Sequence, residues 1–210
     1  MRNVLVVLAI LALLPIIARL FAAAVVHTLS ATIGNQALAQ QPDEIHLVPA
    51  GPQSWSNAAS ADALADPLLG YGFEDAGIHR VQEMPGMLIR LLVKPDEALF
   101  AVVYEHPRVG VWLDVATRYR DGTGITFSTA KQTGLNQRPG YPIVNAPAAS
   151  PLGLCERART ERPSGAFQQI TIETAARTFE ASYADSIAWR KARGITAVEV
   201  ANVAGMSEAA

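Results

Sequence analysis

The chain has 210 residues, is 50% hydrophobic and only 17% charged, and carries a formal net charge of −2 and a single cysteine. That balance lends no support to a nucleic-acid partner, which needs an extended basic face, and one cysteine cannot close an internal disulfide. The length allows one ordinary domain of about 150 residues together with shorter segments.

Residues 1–26 read as an N-terminal transmembrane anchor. The run Val4–Val26 holds Arg19 as its only charge, and at about 1.5 Å per residue it is long enough to cross a hydrocarbon layer of roughly 30 Å. Arg19 lies toward the far end of the run, where its stem can snorkel to the interface, and Pro15 marks a kink. Arg2 precedes the run and no Lys or Arg occurs between Arg19 and Arg80. The positive-inside rule therefore keeps the N-terminus cytoplasmic and places the rest of the chain outside the cytoplasm. The alternative is a secreted or periplasmic chain cleaved near Ala39, because Ala37-Leu38-Ala39 has the small-residue pattern of a cleavage site. Against it, the apolar run gives out near Val26, which leaves a long stretch before that site. No cysteine stands behind the run to take a lipid. Beyond residue 26 the chain holds all 19 acidic residues and 15 of the 17 basic ones, Arg2 and Arg19 being the other two, for a formal charge of −4.

Residues 27–66 are rich in Ala, Ser, Gln, Pro and Asn without a sustained period and read as a flexible tether. Within it, IHLV at 45–48 offers one short strand, and SADALADPLL offers a helical turn capped by Ser60. The exported domain is expected over 67–210. Four apolar runs follow one another, MLIRLLV (87–93), LFAVVYEH (99–106), VGVWLDVATRYR (109–120) and GITFSTA (124–130), and GIHRVQEM (77–84) offers a fifth. KPDE, HPRVG and RDGTG separate the four with the residues that reverse an extended chain. An antiparallel meander of about four to five strands is the economical reading. In the third run Val109, Val111, Leu113 and Val115 alternate with Gly110, Trp112, Asp114 and Ala116, giving one apolar face.

Residues 131–151 form a loop rich in Pro and Gly, of a length that usually wraps a surface or frames a site. LGLCERARTERP follows as a short helix ended by Pro163. The longest helix runs from Thr171 to Arg193, with Ile172, Ala176, Phe179, Tyr183 and Ile187 along one stripe and Gly194 as its stop. Thr196 caps a last helix through Ala204. The fold class is α+β, a meander covered by C-terminal helices.

The candidate chemistry is sparse. Ser128 and Lys131 have Ser-x-x-Lys spacing, but on a strand residues three apart face opposite ways, so they do not form a dyad. His27, His46, His79 and His106 are scattered and match no metal-ligand spacing. DGTG at 121–124 lacks the helix a phosphate loop needs. Cys155 reads as a buried small hydrophobe. No catalytic, metal-binding or cofactor-binding residues are assigned. On the polar face of the meander, Arg90, Glu105, Asp114, Arg118 and Thr126 are expected to project with Trp112, and Trp112, Asp114 and Arg118 suit a partner-binding surface. The reading is therefore a non-catalytic binding domain held at the membrane through residues 4–26, with an envelope protein or component as partner. The alternative is a small exported hydrolase between the 131–151 loop and the sheet, using His106 or His79 as base with Glu105 or Asp114.

Overall fold

The computed structural model describes residues 31–208. The expected span at 4–26 lies outside the described residues, and among those described no helix is long and apolar enough to cross a membrane. The chain divides into two compact units. One comprises Pro42–Gln132 with Gln137–Trp189, and the other, among the described residues, gathers 31–41, Thr133–Asn136 and 190–208.

The larger unit is built on a seven-stranded sheet in chain order, β1 (Leu47–Ala50), β2 (Glu74–Val81), β3 (Leu88–Lys94), β4 (Leu99–His106), β5 (Gly110–Arg118), β6 (Gly124–Ser128) and β7 (Ile143–Asn145). All neighbours are antiparallel except β6 and β7. The α+β class therefore holds, with more strands than the meander expected from sequence. β1 takes up the second half of the IHLV segment, Leu47 and Val48, and continues to Ala50. β7 lies inside the Pro-rich loop and pairs parallel to β6 because the chain returns alongside it after an excursion rather than through a tight turn.

Residues 42–66, placed in the tether by composition, are folded. Helix α2 (Ala58–Gly70) buries Ala61, Ala65 and Leu68 on one stripe, and Trp55 just before it is also core. Its small alanines allow close approach to the sheet, which is why its composition resembles a linker. The cap is Asn57 rather than Ser60: the Asn57 side chain accepts from the Ser60 N–H at 3.2 Å. Replacing Asn57 by alanine is expected to cost about 1 kcal/mol. Urea unfolding should then show a lower midpoint at unchanged m, and an unaltered midpoint would remove the cap from the account.

The sheet is covered on both faces. On one, Leu92, Val103, Leu113, Val115 and Phe127 pack under α2 and α3 (Pro151–Thr160), and Leu154, Cys155 and Ala158 point down from α3. On the other, Ile89, Leu91, Val93, Phe100 and Val102 meet Ala175, Ala176, Phe179 and Tyr183 of α4 (Ile172–Arg193). Ile172, expected on the buried stripe, is exposed. Covering both faces explains why β3 and β4 read as continuous apolar runs whereas β5 alternates. Each fully buried Leu or Phe contributes about 1.5–3 kcal/mol. Cys155 is buried in this core, and that burial pushes its thiol up to about 12, so it stays protonated.

The smaller unit contains residues 31–39, helical and labelled α1, the last residues of α4, and α5 (Ala197–Glu208). Gly34 lies so close to Ile195 and Val200 that a Cβ would meet their methyls at 3.2 and 3.1 Å. Asn35 clips this junction, accepting from the Ile195 N–H at 2.9 Å and donating to the Ile195 carbonyl at 2.9 Å.

Candidate functional site

In an antiparallel ladder, residues directly opposite one another share a face. Tyr104 stands opposite Trp112, Asp114 opposite Ser128, Ala116 opposite Thr126 and Arg118 opposite Gly124. Trp112, Asp114 and Arg118 thus occupy one face of β5, as the alternation required, and this is the α4-side face. At about 3.3 Å per residue, Trp112 and Arg118 are separated by roughly 20 Å of strand. The arrangement is an elongated, half-buried stripe rather than a pocket closed around a small substrate.

Its centre is polar. Ser128 Oγ donates to Asp114 Oδ1 at 2.5 Å and accepts from the Ala130 N–H at 3.0 Å. Burial pushes the Asp114 carboxyl up to about 6, and the hydrogen bond from Ser128, with the nearby Tyr104 hydroxyl, only partly opposes it. Burial, with the nearby Asp114 charge, raises the Tyr104 hydroxyl well above its ordinary value, so it remains a donor. At one end, Trp112 stacks on Tyr104 with centroids 4.6 Å apart and planes 7° from parallel, and Phe179 of α4 meets Tyr104 at 6.0 Å.

The other end is cationic. Gly124 has no side chain, and a Cβ there would meet Arg118 Cδ at 3.1 Å. That vacancy lets Arg118 lie across β6 toward Tyr141, with the guanidinium 5.2 Å from the ring centre. Arg138 sits 4.1 Å from the same ring. The Tyr141 hydroxyl donates to the Gly122 carbonyl, which fixes the ring. Burial lowers the pKa of Arg118, and Arg138 adds to that effect while Tyr141, Tyr104 and Asp185 oppose it.

Arg90 and Glu105, expected beside Asp114, lie on the opposite face. Arg90 faces Val103 and Ile78 and is held by Asp75 at 2.7 Å. Glu105 faces Val111 and accepts from the backbone N–H groups of Ser56 and Asn57 at 2.9 and 2.7 Å. It is a structural anchor for the start of α2. The histidines of the hydrolase alternative stand apart from the polar centre. His106 is four residues along β4 from Val102, the residue opposite Asp114, a separation of about 13 Å. His79 lies on β2, three strands from β5, or about 14 Å across the sheet. Ser128 does point away from Ile125 and Phe127, which belong to the α2–α3 side core.

Comparison with protein-family models, with curated proteins and with solved structures gave no match. The site's own geometry therefore carries the functional argument. Tyr104, Arg138 and Tyr141 are not among the residues expected at the site from sequence, and Ser128 figures there only as half of the rejected Ser128–Lys131 pair. Tyr104 was accessible to sequence reasoning, because the HPRVG turn sets the register that puts it opposite Trp112. Arg138 and Tyr141 were not, since their placement depends on the return of a loop to the sheet. A cavity of about 350 Å³ also opens near the β5–β6 turn, lined by Tyr119, Thr123, Ile125, Gly140, Pro142 and Pro163. It is mostly apolar and does not include Trp112, Asp114 or Arg118.

Proposed function

We propose that this chain is a membrane-anchored binding protein whose larger unit acts outside the cytoplasm on an envelope protein or component. The observation that supports it is the convergence of Trp112, Asp114 and Arg118 with Tyr104 and Ser128 on one face about 20 Å long. Stacked aromatics at one end, a hydrogen-bonded carboxylate in the middle and a guanidinium at the other match the make-up of protein-recognition surfaces. Anchoring by residues 4–26 would raise the local concentration of such a surface near membrane partners. The hydrolase alternative draws on the Ser128–Asp114 contact. It requires His106 or His79 to reach that pair, and both stand more than a side-chain length away.

The reading is tested by placing a photo-crosslinking amino acid at position 112 in intact cells. One discrete adduct is expected there, and none from exposed Leu152 on α3. Identical patterns at the two positions, or no adduct at 112, would overturn the reading. Retention of the adduct in the membrane fraction after alkaline washing, rather than release as after cleavage near Ala39, is expected of the anchored form.

A further inference from the structure

The half-buried arginines of the larger unit fall into two groups. Arg90 meets Asp75 at 2.7 Å, Arg157 meets Glu161 at 2.6 Å, and Arg162 donates to the Glu97 carbonyl at 2.8 Å and the Thr117 hydroxyl at 2.9 Å. Arg118 and Arg138 are also half-buried, yet among the described residues neither has a carboxylate within ion-pair distance or a hydrogen-bond acceptor. Both guanidiniums lie by the Tyr141 ring, at 5.2 and 4.1 Å from its centre.

A cation–π contact uses the face of a guanidinium and leaves its in-plane N–H donors unspent. Two such cations beside one ring repel each other, and among the described residues no carboxylate lies at ion-pair distance to neutralise them. Asp185 on α4 exerts a favourable charge effect on Arg118 without reaching ion-pair distance. The geometry is nevertheless fixed from three sides: Gly124 makes room for the Arg118 stem, the Tyr141 hydroxyl is tied to Gly122, and the Tyr141 N–H donates to the Arg138 carbonyl at 3.0 Å. A rigid pair of unneutralised guanidiniums matches the forked donor geometry that phosphate and carboxylate groups accept.

We propose that Arg118 and Arg138, held around Tyr141, form a binding site for the oxyanion group of a ligand, either phosphate or carboxylate. This rests on reading the β4–β5–β6 face as a binding surface and assigns the chemistry of the group received at its β6 end. An oxyanion there takes up the spare donors and cancels the repulsion between the two cations.

The test uses the full chain in non-ionic detergent micelles, followed by thermal unfolding at constant ionic strength. Inorganic phosphate and succinate are titrated against chloride, and a third arm adds phosphatidylglycerol to the micelles. A saturable rise in the unfolding midpoint is expected with at least one of the three. Arg118→Gln and Arg138→Gln should each weaken it at least about tenfold, the loss of one charge-assisted contact, with midpoints in chloride no lower than the parent's. Arg118→Lys, which keeps the charge without the fork, gives an intermediate loss and covers the case in which Arg118→Gln fails to fold. A rise confined to phosphatidylglycerol and lost in the variants identifies a lipid headgroup as the source. Absence of saturation in all three arms, or a response that persists in both glutamine variants, overturns the site. A missing adduct at position 112 would instead strike the wider binding reading and leave a saturable anion response standing.

Discussion

Glu199→Ala is expected to release α5, at a cost of about 3–5 kcal/mol of local stability, the usual penalty for removing one partner of a buried charge pair. The Glu199 side chain is only 1% exposed. It accepts from Arg190 at 3.1 Å, from Arg193 at 3.0 Å, from the Thr196 N–H at 3.0 Å and hydroxyl at 2.9 Å, and from the Asn136 N–H at 2.9 Å. Thr196 and Glu199 also form a reciprocal capping box at the start of α5, since the Glu199 N–H donates back to Thr196 Oγ1 at 3.3 Å. Burial alone would raise this carboxyl. The N–H groups of Thr196 and Asn136, the Thr196 hydroxyl and Arg193 outweigh burial and hold it at about 2. Because the folded value lies below the ordinary 4.5, the stability it confers is present above that pH and is lost as pH falls from about 4.5 toward 2. Hydrogen exchange of the α5 amides is the measurement: protection should drop by at least two orders of magnitude in the variant at neutral pH. Unchanged protection would show that Glu199 does not hold the helix.

Much of the β5–β6 region could be read from sequence because its alternation is local. Val111, Leu113 and Val115 on one face and Trp112, Asp114 and Arg118 on the other follow from a period of two, and Ser128 opposes Phe127 for the same reason. Facing becomes illegible once it depends on register between strands. Polarity alone groups Arg90 and Glu105 with Asp114 as residues of neighbouring runs, but pairing with Val103 and Val111 puts them on the other side of the sheet. Nor did β3 and β4 announce helices on both faces, since their uniform apolarity is equally compatible with a one-sided core. Alanine-rich α2 and three-residue β7 gave weak local signals and are held in place by packing and by the return of the chain. The cationic end needed a glycine, a loop tyrosine and two arginines 20 positions apart in sequence, a juxtaposition only tertiary structure produces.

Asp114→Asn is expected to stabilise the protein at neutral pH, contrary to the usual effect of altering a half-buried hydrogen-bonded group. The carboxyl is raised from 3.8 to about 6 by burial, so the folded chain favours its protonated form. Between those values the folded state binds more protons than the unfolded state, and stability therefore falls as pH rises through the window from about 4 to 6, then levels. At about 1.4 kcal/mol per pKa unit the shift corresponds to roughly 3 kcal/mol, discounted to about 2 kcal/mol for the solvent access Asp114 retains. Asparagine keeps an acceptor for Ser128 Oγ and removes the charge. In urea unfolding from pH 4 to 8, variant and parent should coincide near pH 4 and separate to about 2 kcal/mol in favour of the variant by pH 7.5. A variant less stable than the parent at pH 7.5 would show that Asp114 serves folding. The predicted sign means that the fold tolerates an unfavourable carboxylate midway between Trp112 and Arg118, which is characteristic of groups retained for recognition rather than for the core. A donor supplied there by a partner would stabilise the ionised form and release a proton, so parent affinity should fall on acidification through pH 6 while that of Asp114→Asn stays flat.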